Sequence, residues 1–447
     1  MSCYLIKNPN VVNEGKCFVA DVLIKSGKIA QIGNSLSTTN NTIVIDGENY
    51  YLLPGMIDDQ VHFREPGLTH KGNIESESRA AVMGGITSYM EMPNCNPPTL
   101  SIECLVEKKN IASKKSHANF AFYLGASNSN DSELLRLRPN DACGVKIFMG
   151  ASTGNMLVDN INVLEIFFKS SPILIATHCE DTSIIIENEK KFYKKYGDNL
   201  SIVYHPDIRS RQACLKSSSL AVSLAKKYRS KLHVLHLTTA DELELFDREK
   251  SLQAKRITTE VCAHHLFFSE NDYKTKGNLI KCNPAIKKES DRLALLEAVN
   301  NDVIDIIATD HAPHTWAEKQ NSYINAPAGM PLVQHALISL LEHYHKGMIS
   351  LEKIVYKTAH APAIVYQIEG RGFIREGYWA DLVLVNLCAK STINHTNAKY
   401  KCGWSPFHGL TFSSRIEKTF VNGILKYSHN KIVSDKTGQS LTFNHTW

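Results

Sequence analysis

The chain has 447 residues, 43% of them apolar and 21% charged, with a net charge of +5 spread along its length. That length suits one large core plus a smaller module, or two ordinary domains. No apolar run reaches membrane-spanning length, and the basic clusters "KKSH" and "EKKFYKKYGD" read as solvated helix faces, so a membrane protein and a nucleic-acid binder are both set aside.

The start, "MSCYLIKNPN", lacks the basic opening and long apolar stretch of a signal peptide. The eleven cysteines are odd in number and scattered without a CxxC pair, which predicts reduced thiols and a cytoplasmic setting. Residues 1–54 read as β structure. "ADVLIKSGKIAQIG" gives two apolar runs around a Ser26–Gly27 turn, and "TIVIDGENYYLLPG" adds a strand closed by Pro54–Gly55.

From residue 55 to 375 short apolar runs alternate with helical segments. Eight such runs are "GMIDDQVHF", "ITSYMEMPN", "FAFYLGA", "GVKIFMG", "ILIATHCED", "KLHVLHLTT", "RITTEVCAHH" and "VIDIIATDHAPH". Strands buried on both faces and separated by helices are the mark of a parallel sheet, and eight units in about 260 residues predict an α/β fold of the (β/α)8 barrel type. Residues 376–447 return to β structure, with the strand "YWADLVLVNL" and an Asn422–Gly423 hairpin signal in "KTFVNGILKY". Neither end has enough apolar surface to fold alone, so both termini are expected to share one small β-sandwich.

The runs turn polar at the same end, at His62, Asn94, Lys146, His178, His236, His264 and Asp310. Barrel enzymes build their sites at the C-terminal ends of the strands. Three imidazoles (His62, His178, His236) and the carboxylate of Asp310 suit Zn2+ or a similar metal. Lys146 is out of place as an ammonium among them. Burial lowers a lysine pKa, and the neutral amine can add CO2 to become a carbamate, an anion able to bridge two metals. Taken singly, each histidine reads first as a buried core residue, Lys146 first as a strand-end lysine with its amine in solvent, and Asp310 also as a turn or cap residue. Their recurrence at one barrel face carries the functional reading.

"IDDQVHFREPG", "MEMPNCNPPT", "GVKIFMG", "THCED", "HVLHLTT", "TTEVCAHHLFF", "KCNPAI", "IIATDHAPHT", "APAGMPLVQHAL", "GRGFIREGYWADLVLV", "WSPFHG" and "VNG" together resemble the dihydroorotases of the amidohydrolase superfamily, in the long bacterial form. The resemblance runs in order along nearly the whole chain. It implies that His62 binds the more buried metal, that His178 and His236 bind the more exposed one, and that carboxylated Lys146 bridges them. Asp310 would ligate the buried metal and act as general base and acid. Arg64 and Asn94, helped by His314, would hold the substrate carboxylate, while Asn283 and the segment Ala326 to Gly329, including Ala328, would contact the ring. The implied cofactor is one or two Zn2+ per chain, and the implied reaction is reversible interconversion of N-carbamoyl-L-aspartate and L-dihydroorotate in pyrimidine synthesis. A homodimer and association with aspartate transcarbamoylase are the implied partnerships.

The chemistry agrees with that resemblance. Opening a cyclic amide needs a nucleophile, a polarised carbonyl and a proton for the leaving nitrogen; a metal lowers the pKa of water to about 7 and polarises the carbonyl, and Asp310 can carry the proton. Arg64, two residues after His62, is a bidentate partner for a carboxylate, which hydantoinases and allantoinases do not need; its competing reading is a salt bridge to Glu65. The stretch "TWAEKQNSYINAPAG" reads as a lid or as an ordinary polar connection.

One position departs from the pattern. Gln60 stands where the family usually has the first histidine of His-x-His, as in a similar bacterial branch, and an amide oxygen is a poorer Zn2+ donor than imidazole. A weakened buried site is expected, with Gln60 a further candidate ligand. Alternation places Asp58 on the face of Gln60 and Asp59 on the other. His233, three residues before His236, is expected to face away from the barrel interior as a structural residue, with His264 and His265 left open. The competing functions are a non-catalytic partner of aspartate transcarbamoylase, and a hydantoinase or allantoinase.

Overall fold

The computed structural model describes residues 3–38, 41–150, 156–248, 250–435 and 438–445. Eight parallel strands form the barrel: β1 (Met56–Val61), β2 (Ile86–Glu91), β3 (Asn119–Phe122, continued by Leu124–Gly125), β4 (Val145–Phe148), β5 (Ile175–His178), β6 (Leu232–Val234), β7 (Ile257–Cys262) and β8 (Ile306–Ala308). Each pairs with the next in parallel register. The chain closes the ring where Val61 bridges His311 and the His62 N–H donates to the His311 carbonyl at 2.7 Å.

The strands form because their side chains are buried on both sides: β4 (VKIF) and β5 (IATH) have no exposed residue. Helices cover the outside, among them α1 (Ile74–Met83), α2 (Ile102–Lys115) and α3 (Thr182–Tyr196). Each of these three is started by a side-chain cap, from Asn73, Ser101 and Asp181 in turn. The Asp181 cap follows His178 by three residues, so the end of β5 is fixed where the site begins.

The ends of the chain meet as expected. A four-stranded sheet (Lys28–Gly33, Asp21–Lys25, Cys3–Lys7, Thr42–Asp46) faces a seven-stranded one in which the C-terminal strand Leu382–Asn386 lies between Tyr51–Pro54 and Arg415–Val421. Ile6, Val22, Ile24 and Ile45 of one sheet pack on Leu52, Leu382, Leu384 and Phe420 of the other. Both turn signals are hairpins with left-handed backbone, Ser26–Gly27 (φ 53° and 83°) and Asn422–Gly423 (φ 53° and 70°). The two turns touch: a Cβ on Gly423 would sit 2.6 Å from the Gly27 Cα. Asn119 at the start of β3 joins sandwich to barrel, donating to Asp381 at 3.1 Å and accepting from Asn422 at 2.8 Å.

The C-terminal stretch also reaches the barrel. Trp404 is buried and its indole N–H donates to the His314 carbonyl at 2.8 Å, at the upper rim. At the opposite end, Gln439 and Leu441 hydrogen-bond the backbone of Phe120 at 2.9 Å.

Candidate active site

The upper ends of the strands surround a cavity of about 290 Å3. Gln60, His62, Arg64, Asn94, Lys146, His178, His236, Asn283, Asp310, His314, Ala328 and Gly329 all line it, and Phe148, Arg209, Ala312 and Pro327 complete the wall. Strand direction explains the convergence: most of these residues lie at or just past the C-terminal ends of their strands or in the loops above them, while Lys146 enters from within β4. A larger cavity of about 880 Å3 shares Arg209, Asn283, Pro327 and Ala328 with the first and holds none of the strand-end residues, so it reads as a vestibule.

Three of the lining residues hold an unusual backbone. Arg64, His236 and Asp310 have φ of 71°, 41° and 49°. Side chains rarely tolerate that region, and each instance costs about 1–3 kcal/mol. The surrounding barrel sustains the strain, and it re-aims each side chain as the chain leaves the sheet.

One half of the floor is made by His178 and His236, whose Nδ1 and Nε2 lie 3.0 Å apart. His178 Nε2 is 3.0 Å from the Glu180 carboxylate, which Arg209 also pairs with. A carboxylate only accepts, so Nε2 bears the hydrogen and the Nδ1 lone pair points at His236. The His236 backbone N–H donates to Glu260 at 3.2 Å, while its Nδ1 is buried without a partner among the described residues. Lys146 is buried beside them, 4.6 Å above the Phe148 ring, and desolvation pulls its pKa down to about 7 against the opposing pull of Asp310 and Glu260. This donor set fits a divalent cation.

The other half is different. His62 Nε2 is 3.1 Å and the Gln60 amide nitrogen 3.2 Å from the same Asp310 oxygen, and His62 Nδ1 is 2.7 Å from the Asn94 side-chain oxygen. The Cys262 thiol lies 3.8 Å from the Gln60 oxygen.

Arg64 is buried in the rim. Its Nε donates to the Pro313 carbonyl and its Nη2 lies 3.1 Å from His314, which Lys71 approaches from the far side at 3.1 Å. It makes no ion pair with Glu65, which binds Lys115 instead. Burial lowers the Arg64 pKa to about 10, so the guanidinium stays charged at neutral pH. The stretch 315–329 is tied against the cavity. Lys281 donates to the carbonyls of Tyr323 and Ala326 at 2.6 and 2.7 Å, and Lys319 to those of Pro327 and Gly329 at 2.9 and 2.8 Å.

Two orientation expectations fail. The β1–β2 register shifts between Asp58 and Val61, so simple alternation does not hold there. Asp58 turns to Thr309, accepting from its N–H at 3.1 Å and its hydroxyl at 2.6 Å. Asp59 enters the barrel interior, 3.4 Å from His233. His233 likewise faces inward, 3.2 Å from Glu260. Side chains from β1, β6 and β7 can meet only inside the ring. The count through His236 misleads because β6 ends at Val234 and the chain then kinks. His264 and His265 are both buried beside Cys262, and His265 bonds the Pro284 carbonyl at 3.1 Å.

Sequence reading also missed Glu180, Arg209, Lys71 and Lys319. Glu180 was recoverable, two residues beyond His178 on the same face. Arg209, Lys71 and Lys319 lie outside the strands, where no periodicity marks them.

Residues 51–425 match the Amidohydrolase family. The chain is 30% identical over 414 residues to a dihydroorotase of Methanosphaera stadtmanae, covering 92% of this chain and 93% of that protein. It is 31% identical over 439 residues to a dihydroorotase of Pyrococcus furiosus, covering 96% of each. Among solved structures, L-hydantoinase (dihydropyrimidinase) from Arthrobacter aurescens superposes with a TM-score of 0.93 at 25% identity, covering 99% of this chain and 100% of that one. The chain belongs to the amidohydrolase family, among its dihydroorotases.

Proposed function

We propose that this protein is a metal-dependent dihydroorotase that cyclises N-carbamoyl-L-aspartate to L-dihydroorotate, and reverses that step, in pyrimidine synthesis. The observation that carries the reading is the meeting, in one small cavity, of the His178–His236 donor pair, Lys146 and Asp310 with the charged, buried Arg64. A hydantoin-type ring has no carboxylate for that guanidinium, which favours dihydroorotate over the ring substrates of hydantoinases.

His178, His236 and an N-carboxylated Lys146 would hold a divalent cation such as Zn2+, with His62 and Asp310 on its buried side. That cation, when bound, supplies Lewis acidity towards water and a carbonyl. The rest falls to side chains. Arg64, Asn94 and His314 fix the substrate carboxylate, and Asn283, Ala328 and Gly329 position the ring. The Asp310 carboxylate takes the proton released by the attacking water and returns it to the ring nitrogen as the amide opens. The pinned 315–329 wall excludes bulk water from the site.

We take residues 1–54 and 376–447 as the sandwich parts and 55–375 as the catalytic barrel, working in the cytoplasm as a homodimer. All eleven cysteines are free, in keeping with that compartment, and among the described residues no helix is long and apolar enough to cross a membrane. The test is the absorbance change on hydrolysis of dihydroorotate with metal and bicarbonate supplied. Turnover of hydantoin or allantoin instead would move the assignment to those hydrolases. No turnover of any of them would favour a non-catalytic partner of aspartate transcarbamoylase.

A further inference from the structure

The two ends of the Gln60 amide are chemically distinguishable by their neighbours. On one side stands the Asp310 carboxylate, 3.2 Å away, which can only accept a hydrogen bond. On the other stands the Cys262 thiol at 3.8 Å, which can donate one. The amide is therefore oriented with its NH2 group towards Asp310 and its oxygen towards sulfur. Only the oxygen of a glutamine can serve a metal, and here it points away from Asp310. Gln60 and Cys262 are both buried, Gln60 on the cavity wall. The same Asp310 oxygen also lies 3.1 Å from His62 Nε2, and the second nitrogen of His62 has Asn94 as its partner. Across the cavity the pattern reverses: His178 Nδ1 and His236 Nε2 face each other, and His236 Nδ1 has no partner among the described residues.

We infer that Gln60 is a strut that positions Asp310 rather than a metal ligand, and that the protein carries one resident cation, at the His178–His236–Lys146 half. The inference rests on the metal assignment proposed above and fixes its stoichiometry. It also assigns Cys262 a role, as the donor that holds the strut the right way round.

The test is metal per chain by elemental analysis, after loading the full-length protein with excess Co2+ and bicarbonate and removing unbound metal, paired with the electron paramagnetic resonance of the Co2+ form. One ion per chain and an uncoupled signal are expected, rising to two ions and a spin-coupled signal in Gln60→His. Two ions per chain or a coupled signal in the unaltered protein would overturn the inference. In Gln60→Ala the count should stay at one while kcat falls; loss of the ion from that variant would show that Gln60 is a ligand and sink the strut. Dihydroorotate turnover, read on the same sample, separates the two claims. An inactive protein with one ion refutes the proposed function alone, and an active protein with two refutes this inference alone.

Discussion

On one side of the cavity a metal-type histidine is held by a carboxylate behind it, Glu180, and on the other by a carboxylate of the site itself, Asp310. Glu180 can only accept, so it fixes the proton on His178 Nε2 and leaves Nδ1 bare towards His236. Asp310 likewise only accepts, so it fixes the proton on His62 Nε2 and turns the Nδ1 lone pair towards the Asn94 side chain. Two histidines on opposite sides of one ring thus have their tautomers set in the same way but point their free nitrogens at different partners, His178 at a second histidine and His62 at an amide. The His178–His236 half has lone pairs to spare, whereas the other spends its donors on Asp310.

The sharpest way to break that contrast is to remove one histidine from each side. His236→Ala should strip the bound metal and lower kcat/KM by about 10^3-fold or more, as expected for the several kcal/mol a catalytic metal supplies. His62→Ala should keep the metal content, measured by elemental analysis, even as activity falls. Equal metal loss in both variants would erase the distinction between the halves.

A smaller effect tests what commits the first half. Glu180→Gln should weaken metal affinity by about 10–100-fold in a chelator competition, because the amide no longer enforces the tautomer. Arg209, which pairs with Glu180 and lines the cavity, gives a companion variant: Arg209→Met should weaken affinity in the same direction. Unchanged affinity in both would show that the barrel alone orients His178.

Arg64→Lys probes the rim above both halves. Losing the guanidinium fork should lower kcat/KM for dihydroorotate by about 10-fold, carried mainly by KM, with metal content untouched. The smallest expected change is in pH dependence. Lys146 has its pKa depressed to about 7 by burial, so its amine is protonated below that pH and neutral above it. Carbamate formation needs the neutral amine and should rise as pH climbs through about 7, read by NMR with 13C-bicarbonate. For stability the sign is the same. Between about 7 and the ordinary lysine value the unfolded chain binds the extra proton, so folding gains as pH rises across that window.

Much of this site was legible before any fold was drawn. The donors were recognisable because a parallel barrel places function at one end of every strand, so polarity at the end of an apolar run is a positional signal. Glu180 carried the same signal through its spacing from His178. Arg209, Lys71 and Lys319 carried none, since residues 205–211, 68–73 and 315–321 are irregular or barely helical in the chain. Alternation failed at Asp58 and Asp59 because β1 is bulged, and at His233 because the parity count ran past the end of a three-residue strand.

By itself, then, the sequence determined the eight-strand rhythm, the hairpins at Ser26–Gly27 and Asn422–Gly423, and the set of residues that would crowd one face. These follow from local patterns: the burial of alternate runs and the backbone freedom of particular turn residues. Tertiary structure decided which way those residues look. Arg64, His236 and Asp310 take a left-handed backbone that no local pattern in the sequence announces. The direction of the Gln60 amide is set by Asp310 and Cys262, which lie about 250 and 200 positions away in the chain. Orientation of a short polar group depends on the partners that reach it, and only the closed barrel brings those partners together.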